Sequence, residues 1–272
     1  MQADYPECEA LLNAAEASFH QARFCNREIA DVQYGRAAVL LKLQRWDEAL
    51  TAAHTAEQSY EGERNEPSRL KARFLSGCIL NERGDLEAAR TVFLSLRRAI
   101  EASRNREMAG RLWLCLAGCE MRRREPVAAR EWLAKATPLL DELGMKSEII
   151  RADWCRGMVM ILEGDRAKGV RRLRGAMNAF DAIGMPGDAG YVGLDLLVSL
   201  PPSTPSRERI ALARQVANVF LKAGASPGAA EALDHLRRAV VMGQADQAAF
   251  VDRLRCFLRR AVAYPNERFE DT

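Results

Sequence analysis

Side chains able to hold a metal or attack a substrate are few and scattered along this 272-residue chain. Its three histidines, His20, His54 and His235, stand apart from one another and from the seven cysteines, Cys8, Cys25, Cys78, Cys115, Cys119, Cys155 and Cys256. Ligands on one helix face must sit three or four residues apart, and only Cys115 with Cys119 does. Two thiols fall short of a zinc site, whose shell takes four nitrogen, sulfur or oxygen ligands. An odd cysteine count without close pairing also argues against a disulfide framework, so reduced thiols filling core spaces are expected. Cys115 and Cys155, one repeat apart, could touch on adjacent helices as such a pair of buried thiols. No glycine-rich phosphate loop, nucleophile elbow or catalytic dyad stands in the sequence. The expectation is a chain with no catalytic residue, no metal and no cofactor.

Binding by charge and apolar contact is better represented. Lys71, Arg111 and Arg151 recur at a fixed spacing of 40 residues, and bulky Tyr34, Phe74, Leu114, Trp154 and Leu194 recur three positions further on. A row of cations beside a row of apolar groups suits an extended acidic segment or a chain end, through charge-assisted hydrogen bonds to carboxylates and pockets for side chains. The competing reading is that the cations are solvated helix starts and that Phe74 and Trp154 pack against the neighbouring repeat. Other basic clusters, Arg122-Arg123-Arg124, Arg171-Arg172-Arg174 and Arg255-Arg259-Arg260, could track phosphates. They fall at a helix end, on a second helix and in the last helix, and a net charge of only +3 gives little steering. Nucleic-acid binding is therefore not the expected function.

These residues need elements that repeat with them. Segments 45–50, 84–89, 125–129 and 164–169 superpose when each is shifted by 40, and each reads as a tight turn opening a helix. Small residues follow at Ala49, Ala89, Ala129 and Gly169. Apolar columns continue at Ala53, Phe93, Leu133, Leu173 and Ala213, at Ala56, Leu96, Ala136, Ala176 and Val216, and at Tyr60, Ile100, Leu140, Phe180 and Phe220. Offsets of three and four between columns mark one face of an α-helix. On the preceding helix, small Ala37, Gly77, Ala117 and Gly157 stand three residues after the bulky column, which lets neighbouring helices interlock. Gly144, Gly184 and Gly224 close the second helices, where a left-handed residue suits glycine. Asp47, Glu48 and Glu87 gather at helix starts, where carboxylates cap and complement the helix dipole.

This pattern resembles the tetratricopeptide repeat. With Gly84 on the family's turn glycine, Gly77 and Leu80 fall on its first-helix positions and Ala89, Phe93 and Leu96 on its second-helix positions. The unit is longer than the family's usual one, as in sensor and partner-binding modules of bacterial regulators, and the tryptophan position holds Arg73, Trp113 and Asp153. The likeness runs from about Asp31 to Gly224. It implies an all-α fold, a right-handed superhelical solenoid of antiparallel helix pairs, with first helices lining the concave side. The asparagines of the family's carboxylate clamp are absent, their positions holding Leu75, Cys115, Cys155 and Cys78.

The layout expected is a helix near Glu7–Phe24, five helix pairs and a last pair near 229–263, forming one solenoid over 1–272. Pro201-Pro202-Ser203-Thr204-Pro205-Ser206 interrupts helix; it reads as a loop within the solenoid, or alternatively as a hinge at 200–206. No run approaches a membrane span, and the start Met1–Glu7 lacks the features of a secretory signal, so a cytoplasmic location is expected. The function implied is a regulatory scaffold that holds another protein or peptide on Tyr34, Lys71, Phe74, Arg111, Leu114, Arg151 and Trp154. The alternative is a solenoid module of a transcriptional regulator that senses a small ligand or signalling peptide.

Overall fold

A computed structural model describes residues 5–21, 26–201, 203–242, 247–261, 264 and 267–269. Among them are thirteen helices and no strand: α1 (Tyr5–Gln21), α2 (Asn26–Lys42), α3 (Trp46–Gly62), α4 (Glu66–Arg83), α5 (Leu86–Ala102), α6 (Arg106–Arg122), α7 (Pro126–Glu142), α8 (Lys146–Leu162), α9 (Arg166–Ala182), α10 (Pro186–Ser199), α11 (Ser206–Lys222), α12 (Pro227–Met242) and α13 (Gln247–Ala261). The expected first helix is described over Tyr5–Gln21, and Phe24 lies outside the described residues. Two compact units are present, residues 1–125 and 126–272. Within each, consecutive helices pack as antiparallel pairs.

The turns set the register. Left-handed backbone occurs at Gln44, Arg64, Gly84, Arg104, Arg124, Gly144, Gly164, Gly184 and Gly224, every twenty residues except where the proline segment intervenes. At each, the chain leaves a helix by one left-handed residue, which satisfies carbonyls of the last turn. Gly84 N–H, for example, donates to Leu80 and Asn81 carbonyls at 3.1 and 3.2 Å. Starts are fixed by Asn65, Asn105 and Asp165, whose side chains accept from Ser68, Met108 and Lys168 N–H groups. Asp47, Glu48 and Glu87 do not cap: they lie in the first turns of α3 and α5, and their carboxylates pair with Arg83, Arg45 and Arg123.

Every column expected to be buried is buried. In the first unit Ala49, Ala53, Ala56, Tyr60, Ala89, Phe93, Leu96 and Ile100 leave at most 2% of their surface exposed. In the second, Leu133, Leu140, Leu173, Phe180, Ala213 and Val216 do the same. Removing these faces from water is the main favourable term in folding. The small first-helix positions allow close approach: a Cβ on Gly77 would lie 2.5 Å from the Phe93 ring, and one on Gly190 would lie 2.6 Å from that of Phe220.

Charged groups tie helices where apolar contact is incomplete. Glu120 on α6, only 1% exposed, accepts from Arg90 at 2.6 Å and pairs with Arg123. In the second unit the proline segment folds into a compact turn: Arg209 donates to the Pro201 carbonyl at 2.6 Å and Thr204 N–H to the same oxygen at 2.9 Å. No helix among the described residues is long and apolar enough to cross a membrane.

Candidate functional site

In the first unit α2 touches α4 and α4 touches α6 directly, so the three first helices form a continuous layer with α3 and α5 behind it. One face of each first helix looks away from that backing. It carries exposed Lys71 and Arg111 at matching positions, and half-buried Tyr34, Phe74 and Leu114 one turn further on. The α2 equivalent of the two cations is the exposed acid Asp31. Its carboxylate accepts the Tyr60 hydroxyl, which joins α2 to α3.

The aromatic members of this face are anchored from behind. Tyr34 packs on a cluster of Ala30, Ala56, Tyr60 and Ala72, and the Phe74 ring lies 5.6 Å from that of Phe93. Both rings are half-buried, and packing that already fixes a side chain lowers the entropic cost of a later contact. Burial raises the Tyr34 phenol above its ordinary range, with Cys78 adding to the rise and Arg111 opposing it. Phenol, thiol and guanidinium therefore share one neighbourhood, drawn from α2, α4 and α6.

Sequence reasoning missed the thiols at its centre. Cys115, then burial, pushes the Cys78 thiol well above its ordinary range, and both residues are half-buried. The sequence offered Cys115 with Cys119 as a pair, but Cys119 is buried and its thiol donates to the Leu86 carbonyl at 3.3 Å. Cys78 stands 37 positions before Cys115, three short of the repeat. A column search at a single period passes over such a diagonal neighbour.

The corresponding face of the second unit is used internally. Arg151 is exposed but lies 3.1 Å from Asp188. Trp154 is half-buried, and its indole N–H donates to Asp195 at 2.8 Å. Asp195, on α10, also pairs with Arg255 of α13. The Arg259 guanidinium, one turn on, sits 5.3 Å from the Tyr191 ring, a cation-over-aromatic contact. Leu194, the last of the bulky column, is fully buried.

The remaining chemistry-bearing residues have local roles. His54 hydrogen-bonds to Gln58 at 2.8 Å and His235 packs edge-on against Phe269; the side chain of His20 lies outside the described residues. No group of three or more histidine, cysteine or acidic side chains among the described residues could hold a metal ion. Several arginines of the basic clusters are engaged in ion pairs: Arg123 with Glu87 and Glu120, Arg172 with Asp153, Arg174 with Glu208 and Arg260 with Glu267.

Solved structures with the same arrangement of helices identify the fold. RapI in its apo form matches with a TM-score of 0.69 at 11% identity over 94% of this chain and 91% of that one. The fold is tetratricopeptide-like. A Rap protein complexed with Competence and Sporulation Factor matches at 0.63 and 15% identity, over 88% of this chain, which spans 66% of that chain's length. BtubC (BKLC) from P. vanneervenii matches at 0.54 and 12% identity over 89% and 94% of the two chains. At such identities the likeness is one of tetratricopeptide-like architecture. No protein-family model matches the sequence, and no curated protein matches it.

Proposed function

We propose that this chain is a tetratricopeptide-like scaffold whose first unit holds a segment of another protein or a peptide. The observation that carries the reading is the pairing, on adjacent first helices, of exposed Lys71 and Arg111 with half-buried Tyr34, Phe74 and Leu114. Cations that reach solvent beside rings fixed from behind suit acidic groups flanking apolar side chains on the bound segment. The comparison with a Rap protein complexed with Competence and Sporulation Factor supports a protein or peptide as the bound partner. Arg151 and Trp154, expected to extend the same row, have acceptors within their own unit in Asp188 and Asp195. They contribute less to the partner than Lys71.

A second reading, a module that senses a signalling peptide or small ligand, draws on the same comparison. Two open hollows of about 280 and 350 Å³ lie in the first unit. They are lined by Tyr60, Glu61 and Arg69 in one case and by Gln33, Arg36 and Thr55 in the other. Metabolite screening by thermal shift separates the readings, since only a sensor gains stability from a small molecule. For the scaffold, a partner identified by cross-linking is purified and titrated calorimetrically against the Lys71→Glu/Arg111→Glu chain. Loss of binding with unchanged helical circular dichroism is expected; undiminished binding would reject this face.

A further inference from the structure

We propose that the recess between α12 and α13 of the second unit is a binding site for a segment carrying glutamate two residues before phenylalanine, and that residues 267–269 of this chain fill it in cis. The Phe269 ring stands edge-on to three others: His235 of α12 at 6.0 Å between centroids, and Phe250 and Phe257 of α13 at 5.7 and 5.2 Å. Rings tilted in this way attract at such separations. Phe250 and Phe257 are buried in the core of the unit, and half-buried Phe269 packs against that core.

Two further contacts read the glutamate. The Glu267 carboxylate lies 2.8 Å from the Arg260 guanidinium, a charge-assisted pair. Its carbonyl oxygen comes so close to α12 that a Cβ on Gly228 would stand 2.2 Å from it. Only a residue without a Cβ leaves room for backbone at that point. Arg268, between the two anchors, is exposed, so the middle residue is not specified. Residues 267–269 are neither helix nor strand; they meet the helix pair through side-chain pockets and one backbone contact, as a bound peptide does. The segment follows α13, which ends at Ala261. A tether that short holds it at an effective concentration on the order of millimolar. A segment of another protein with the same chemistry therefore binds by displacing it. The inference rests on the second unit and stands apart from the face carrying Lys71.

The test is fluorescence anisotropy with a labelled peptide copying residues 264–272, titrated with the full-length chain. Phe269→Ala, which empties the aromatic box, should bind the peptide about ten-fold or more tighter than the wild-type chain does. Adding Gly228→Ala to that variant should abolish binding, and so should alanine in place of the peptide's phenylalanine. Adding Lys71→Glu should change nothing. No binding to a Phe269→Ala chain of unaltered helical circular dichroism, equal binding to Phe269→Ala and wild type, or loss of binding through Lys71→Glu would each overturn the proposal. Should Phe269→Ala fail to fold, hydrogen exchange on the wild-type chain decides: excess peptide is expected to speed exchange of the amides at 267–269, and an unchanged rate rejects the site.

Discussion

The Trp154 indole N–H and the Arg255 guanidinium converge on the single carboxylate of Asp195, joining α8, α10 and α13 of the second unit. Asp195 is 7% exposed, so its charge depends on both partners for compensation. Removing it by Asp195→Ala should cost roughly 3–5 kcal/mol, because a largely buried guanidinium is left unpaired. Trp154→Phe, which deletes one N–H and keeps most of the ring, should cost about 1 kcal/mol. Urea denaturation of the two variants measures both, and equal losses would contradict the shared-acceptor arrangement.

Close helix approach makes a second, paired expectation. Gly77→Ala puts a methyl 2.5 Å from the buried Phe93 ring, and such overpacking destabilises by about 1–3 kcal/mol. Gly175, on α9, has open space where its Cβ would be, so Gly175→Ala should instead stabilise by roughly 1 kcal/mol through helix propensity. Thermal melts showing the same sign for both would show that packing is not what selects glycine at position 77.

Backbone conformation provides a third test. Arg104 has φ of 56°, a left-handed value that its side chain disfavours. Arg104→Gly should raise stability by up to about 1 kcal/mol, and Gly184→Ala, at φ of 76°, should lower it by a similar amount. Denaturation midpoints at matched slopes give both numbers, and a stabilising Gly184→Ala would be inconsistent with the turn geometry.

Alkaline titration addresses the layer around α2. Burial raises the Tyr34 and Tyr60 phenols above their ordinary range, and for Tyr60 the hydrogen bond to Asp31 adds to the rise. An unfolded tyrosine loses its proton near pH 10 while these two hold theirs. The stability they contribute is therefore complete below about pH 10 and is lost as pH climbs past it. Ultraviolet difference spectra should show late-titrating phenols that disappear in a Tyr34→Phe/Tyr60→Phe chain. A spectrum unchanged by the double substitution would refute their burial.

Where the partner face lies is tested by comparing cations. Arg151→Glu should weaken binding of a purified partner less than Lys71→Glu, since Asp188 already accepts from Arg151. Titration calorimetry on the two single variants decides it; equal losses would place Arg151 on the same footing as Lys71.

The columns of the second helices were legible in the sequence because burial acts on side-chain type, and Phe93, Leu140 and Phe180 advertise it. The first-helix face was less so. Phe74 and Trp154 are apolar whether they await a partner or lean on Phe93 or α10, and residue type does not distinguish the two. Lys71 and Arg151 look alike in the sequence, yet only folding brings Asp188 to the latter. The left-handed turns were half visible: glycine marks Gly84 and Gly184, while Gln44, Arg64, Arg104 and Arg124 adopt the same conformation with no compositional signal. There, helix pairing on both sides imposes the backbone and the side chain tolerates it.

Because the chain turns by the same left-handed residue every twenty positions, a segment cut at two such residues in one unit, from Arg64 to Arg104 for instance, has ends of matching geometry. A coding duplication or excision of that length rejoins without a new loop to invent. Lineages carrying this architecture can thus gain or lose a hairpin in one genetic event, and vary in length more readily than in fold.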